Sequence, residues 1–173
     1  MPSGARTGHA VPMNTLPNTR SCYVCGIENP IGLRLGFRSD DALTVAETRF
    51  SFRPEFAGFR DTVHGGAIAT VLDEVMVWAI GVAAKQFVYC AELTVRYQRP
   101  ARPGAEVVAR GHVTEDRRGR LFTARGELRD ADGQLLAEST GKYLPVPAAV
   151  GAQVLEDLVG EVPEFLQRAT VKV

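Results

Sequence analysis

The stretch that most constrains the fold is residues 63–84, VHGGAIATVLDEVMVWAIGVAA. It has no proline and, after Gly65-Gly66, only one late glycine. The spacing predicts a long, mostly buried helix of roughly five or six turns. Ile68, Val71, Leu72, Val75, Ala79 and Val82 recur at helical spacing and form one apolar stripe. Ala69, Met76, Val77 and Ile80 form a second apolar flank. At about 100° per residue Asp73 falls within that flank, while Glu74 turns toward the more polar wedge of Thr70 and Gly81. A helix apolar on two sides needs two partners, its own sheet and another subunit.

The same helix carries the elements of a chemistry. The first helical N–H groups have no intrahelical partner and sit at the positive end of the dipole. Gly65 and Gly66 let another molecule approach that backbone closely, and an N–H aimed at a carbonyl oxygen is half of an oxyanion hole. A carboxylate partly desolvated on an apolar flank is a setting that suits a general base. One helix would thus supply an electrophile at its start and a carboxylate about two and a half turns on. From the residues alone, a loosened helix start and a hydrogen-bonded aspartate at the core edge remain the plainer alternative.

At 173 residues the chain is one domain with tails. Its 20 basic and 20 acidic side chains cancel, which argues against nucleic acid or an anionic membrane as a partner. Asp73 and Glu74 interrupt the one apolar run that approaches membrane-spanning length. No apolar segment of signal-peptide type opens the chain. Three cysteines, an odd number, do not suggest a disulfide framework. The cytoplasm is the expected compartment.

Residues 1–20, rich in Pro, Gly, Thr and Asn, predict a disordered tail. Cys22 and Cys25 then form a C-x-x-C followed by Gly26, which is half of a zinc site. No second C-x-x-C or H-x-x-H occurs, so completion would take two chains or His9. The expectation is a glycine-capped turn with no metal. Residues 43–52, 87–98, 106–114, 122–128 and 134–144 read as strands, with Asp132-Gly133 as a hairpin signal. Within 87–98, Phe87, Tyr89, Ala91, Leu93, Val95 and Tyr97 are expected on one face and Cys90 on the other. Residues 147–173 predict a C-terminal extension with one short helix and a frayed end. The order of strand, long helix and four strands predicts an α+β domain over 21–146, an antiparallel meander with the helix packed across it.

HGGAIATVLDEVM, the Arg99-Pro100 that closes the next strand, and the opening CYVCGIENPIGL together resemble the hotdog-fold acyl-CoA thioesterases, in the branch named for the PaaI and THEM proteins. The resemblance covers roughly residues 20–146. It implies a hotdog fold, a long central helix wrapped by a curved antiparallel sheet. It implies a homo-oligomer, dimer or tetramer, with sheets joined edge to edge and the active site at the interface. The implied substrate is an acyl-CoA, with no cofactor and no metal. Asp73 would act as general base or nucleophile, a backbone N–H near Gly65 or Gly66 would polarise the carbonyl, and His64 would hold substrate or loop.

Some positions depart from the family pattern. Many relatives carry Asn where Gly58 stands. Many carry Ser or Thr, orienting the attacking water, where Cys90 stands, and a thiol is the weaker hydrogen-bonding group. Asp61 occupies a place where Gly is common. Arg117, Arg118 and Arg120 form a basic turn, with Arg118 the candidate contact to coenzyme A phosphates. The competing readings are a non-catalytic acyl-CoA-binding module, favoured by Cys90, and a hotdog hydratase.

Overall fold

The computed structural model describes residues 13–167. In chain order the elements are β1 (Met13–Thr15), β2 (Asn18–Thr19), β3 (Arg38–Asp40), β4 (Val45–Ser51), β5 (Ala57–Phe59), β6 (Thr62–Val63), α1 (Gly65–Ala84), β7 (Val88–Tyr97), β8 (Glu106–Asp116), β9 (Phe122–Asp130), β10 (Leu135–Pro145), α2 (Ala148–Asp157), β11 (Leu158–Val159) and α3 (Glu164–Gln167). Seven strands form one antiparallel sheet in the order β1-β3-β4-β8-β9-β10-β7. Helix α1 lies across it, in contact with β4, β7, β8, β9 and β10. This is the long helix on a large antiparallel sheet that defines the hotdog architecture.

Helix α1 starts where His64, in extended conformation, accepts the Gly66 N–H on its ring, and stops at Lys85 in the left-handed region at φ 57°. By length and composition it could cross a membrane, despite its two carboxylates. Its apolar residues are instead core: Ile68, Val71, Leu72, Val75, Ala79 and Val82 pack against the sheet and the N-terminal segment. The second flank does not wait for another subunit, as its apolarity alone predicts. Met76 and Ile80 are fully buried within the chain, against Val88, Phe122, Ala124 and Tyr143. A strip running through Ala69, Thr70, Asp73 and Val77 stays half-buried.

The helix approaches the sheet along a row of small residues. The strand registers pair Ser39 with Ala46, Ala46 with Gly111, Gly111 with Gly126, and Gly126 with Ser139. This row crosses five strands, and each of its members is buried. A Cβ on Gly111 would stand 2.6 Å from the carbonyl oxygen of Val75, and one on Gly126 would stand 3.3 Å from the Leu72 side chain. The row is therefore the trough in which α1 rests.

The five long strands form close to the expected spans, but they are not a simple meander. Strand β7 pairs with β10 at the far edge, and β8 takes the place beside β4. Residues 98–105, with Pro100 and Pro103, make no tight hairpin and instead carry the chain across the end of the sheet. Residues 13–20, expected in the disordered tail, are also structured in part. Strand β1 pairs with β3, and β2 pairs with β11, which ties the C-terminal extension back to the N-terminal segment. Periodicity could not reveal these two- and three-residue pairings, because their partners lie far along the chain. The rest of the predicted tail, including His9, lies outside the described residues.

Candidate functional site

The start of α1 is fixed by close approaches that only glycine permits. The Nδ1 of His64 accepts the Gly66 N–H at 2.9 Å. A Cβ on Gly66 would meet that same nitrogen at 2.9 Å, and one on Gly58 would meet the His64 backbone at 3.0 Å. Gly58 thus lets the preceding loop lie flat on His64, and a larger residue would press on the His64 backbone and ring. Asp61, at φ 57°, occupies the left-handed region. That conformation favours glycine and is one that aspartate tolerates.

The two glycine amides are not equivalent. The Gly66 N–H is satisfied by His64, whereas among the described residues the Gly65 N–H has no acceptor. The Tyr97 hydroxyl donates to the Gly65 carbonyl oxygen at 2.8 Å, which fixes the peptide from the other side. The free amide borders a cleft of about 630 Å³ whose walls include Gly58, His64, Ile68, Tyr97 and Arg99, with Phe59 at 82 % exposure on its rim. His64 here caps the helix and supports the loop.

Asp73 lies on the half-buried strip of α1. Its Oδ1 accepts the hydroxyl of Tyr143 at 2.9 Å. Tyr143 is fully buried, and burial followed by the Asp73 charge pushes its ionisation far above the ordinary tyrosine range. It therefore remains a donor at any physiological pH. The sequence reading does not single out this partner. The available signal is the alternation of β10, which places Tyr143 inward with Ser139 and Gly141. A buried tyrosine hydroxyl needs an acceptor.

Cys90 reaches the same carboxylate through an irregularity. Cys90 pairs with Tyr143 and Glu92 with Lys142, so Ala91 is an extra residue in β7. This bulge reverses the strand's facing. Val88 is buried on one side of it, and Leu93 and Val95 are half-buried on the other. The single alternating face expected for 87–98 is thus two half-faces. The Cys90 thiol is pushed up to about 11, first by burial of the sulfur and then by the Asp73 carboxylate. It is a neutral thiol near pH 7, and a poor nucleophile.

Other expected residues lie apart. Arg118 is exposed at the β8–β9 tip, where neighbouring Gly119 meets Gln86 just beyond the C-terminal end of α1. That is the opposite end of the helix from Gly65, about 30 Å away at 1.5 Å per residue. Arg117 is paired with Glu115 at 2.9 Å. Glu74 does not face a polar wedge. It is packed against the Cys22–Cys25 turn, with Cys22 Sγ 3.8 Å from its Oε1.

A model of the thioesterase superfamily matches residues 61–137, from the loop before α1 through β7, β8 and β9 into β10. The chain has the hotdog fold, and residues 61–137 resemble the thioesterase superfamily. A crystal structure of another thioesterase superfamily protein is 26 % identical, covering 72 % of this chain, with a TM-score of 0.67. This chain spans 63 % of that protein's length. The phenylacetic acid degradation protein PaaI of Thermus thermophilus is 25 % identical over 59 % of this chain and 85 % of its own, with a TM-score of 0.54. Zebrafish thioesterase superfamily member 2, at 18 % identity, covers 65 % of this chain and 81 % of its own with a TM-score of 0.59, a likeness of fold. A search of curated proteins returned no match. The family model and the fold agree with the PaaI- and THEM-like resemblance.

Proposed function

We propose that the chain hydrolyses an acyl-CoA thioester to the free acid and coenzyme A, in a site shared by two subunits. The observation that carries the reading is the Asp73 carboxylate, held through Oδ1 by Tyr143 on a half-buried strip of α1. Its other oxygen is left to take a proton from water. The water oxygen adds to the thioester carbonyl carbon, and the developing oxyanion accepts the Gly65 N–H. The tetrahedral adduct then loses its C–S bond, and the proton held by Asp73 passes to the departing sulfur. Cys90, neutral and beside the carboxylate, orients the water.

Gly65 and Asp73 differ by about 12 Å of rise along one helix at 1.5 Å per residue. Reacting groups must come within about 3–3.5 Å. No single carbonyl can use both from the same helix, so the helix start of one subunit must serve the Asp73 of another. The long edge strand β7 supports such an assembly. Among the described residues its outer edge is unpaired, and it exposes Tyr89 and Tyr97, the kind of edge that pairs with another chain. Light scattering at micromolar concentration should therefore give a dimer or a larger even-numbered assembly. A well-folded monomer with full activity would sink the shared site.

The reading is tested by a panel of acyl-CoAs of varied length and aromaticity, with free-thiol detection. Tight binding without thiol release would instead mark a binding module, and loss of crotonyl-CoA absorbance a hydratase. Cys90→Ser should keep or raise turnover, and Cys90→Ala should lower it modestly. Because the thiol ionises only near 11, its alkylation by iodoacetamide should be slow at pH 7–8 and climb toward pH 11. At neutral pH it carries roughly a hundredfold less thiolate than an ordinary cysteine. Fast alkylation at pH 7, with complete loss of turnover in Cys90→Ser, would identify a thiol nucleophile.

A further inference from the structure

The Cys22–Cys25 turn has the form of a metal-binding knuckle. The Gly26 N–H returns to the Cys22 carbonyl at 2.9 Å, and the Val24 N–H donates to the Cys22 sulfur at 3.2 Å. A Cβ on Gly26 would stand 2.2 Å from the Cys22 carbonyl oxygen, so the turn closes only with glycine. An amide aimed at sulfur stabilises a thiolate, and the thiolate is the metal-binding form. Sequence spacing offers no second half for this knuckle. The fold supplies a third ligand from α1: a Glu74 oxygen and the two sulfurs all lie within 4.8 Å of one another. The sulfur-to-oxygen separation, 3.8 Å, is near the ~3.5 Å expected across a tetrahedral zinc with Zn–S of about 2.3 Å and Zn–O of about 2.0 Å.

The surroundings call for a cation. The three groups border a cavity of about 520 Å³ between the knuckle, α1 and α2. Its lining includes Asp157 but, among the described residues, no Lys, Arg or His. Trp78 also lines it. Cys25 is buried and Cys22 and Glu74 are half-buried, so a divalent ion would neutralise three anionic donors held within one short reach.

We propose that Cys22 Sγ, Cys25 Sγ and a Glu74 carboxylate oxygen bind one thiophilic divalent cation of the zinc class. The fourth position opens to the cavity and is filled by water or an exogenous anion. The metal fastens the N-terminal knuckle to the middle of α1 on a different face from Asp73, and the proposal stands independently of the hydrolytic reading.

The full chain, purified without chelator or metal-affinity tag, should contain one zinc per chain by elemental analysis. After the metal is stripped under reducing conditions, added Co²⁺ should give a sulfur-to-metal charge-transfer band and intense tetrahedral ligand-field bands. The stripped protein should also melt at lower temperature and recover on reloading. Loss of an outer-shell partner alone costs about 10–100-fold in metal affinity. Glu74→Gln, which keeps the side-chain volume, should therefore weaken Co²⁺ binding by more than ~100-fold while the chain stays folded. Cys22→Ser should weaken the charge-transfer band, and Cys22→Ser with Cys25→Ser should abolish it. No zinc together with no cobalt uptake by the reduced protein would overturn the proposal, as would a native Cys22–Cys25 disulfide. Unchanged cobalt affinity in Glu74→Gln would overturn it equally.

Discussion

Asp73→Asn is expected to lower kcat by about 10²–10⁴-fold, with KM little changed, in a thiol-release assay on the best acyl-CoA of the panel. Asparagine keeps the shape of the side chain, and its carbonyl oxygen still accepts the Tyr143 hydroxyl. What it cannot do is take a proton from water at neutral pH. The loss corresponds to about 3–5 kcal/mol of transition-state stabilisation at 1.36 kcal/mol per tenfold. Melting should change little, because the buried hydroxyl keeps its acceptor and a partly desolvated charge is removed. Tyr143→Phe is the companion variant. It leaves the carboxylate but frees its orientation, so it should lower kcat by less than Asp73→Asn and leave KM near the wild-type value. A wild-type rate in Asp73→Asn would remove the general base from the mechanism. Glu74 is no neutral control, since its side chain packs on the Cys22–Cys25 turn.

What the sequence conveys, and what it does not, divides along the distance over which residues interact. Helix α1 and the long strands follow from local periodicity. The separation of Asp73 from Glu74 onto different helix faces follows from the 100° step. The surroundings of Glu74 do not, because Cys22 lies 52 residues earlier with Cys25 close behind it, and no helical wheel contains them. Tyr143 escapes for the same reason, standing 70 residues from the carboxylate it holds. The place of β7 beside β10, rather than beside β8, depends on how residues 98–105 cross the sheet. The bulge at Ala91 escapes an alternation argument altogether. One extra residue reverses the facing of everything beyond it, and Cys90 meets Asp73 only because of that reversal.

The row of small residues under α1 is legible only in fragments. Gly126 falls on the inward face of its strand by alternation, but Ala46, Gly111 and Gly126 form a trough only once the register aligns them. The trough makes a second large prediction. Gly111→Ala places a methyl 2.6 Å from the Val75 carbonyl oxygen and 2.9 Å from its carbon. Both are helix backbone, which cannot swing aside as the end of a side chain can. The helix must lift or the strand must bend, so the cost should reach about 3 kcal/mol, the upper end for overpacking. At about 2–4 °C per kcal/mol for a chain of this size, the melting temperature should fall by roughly 6–12 °C at fixed protomer concentration. Gly81→Ala is the test of sign. Gly81 lies inside α1, and a Cβ there meets nothing within 4 Å. Replacing a mid-helix glycine by alanine gains about 0.5–1 kcal/mol when space allows. The same chemical change should thus destabilise at 111 and stabilise at 81. Two melting shifts of the same sign would mean that the distance between α1 and β8 does not control stability as this packing requires.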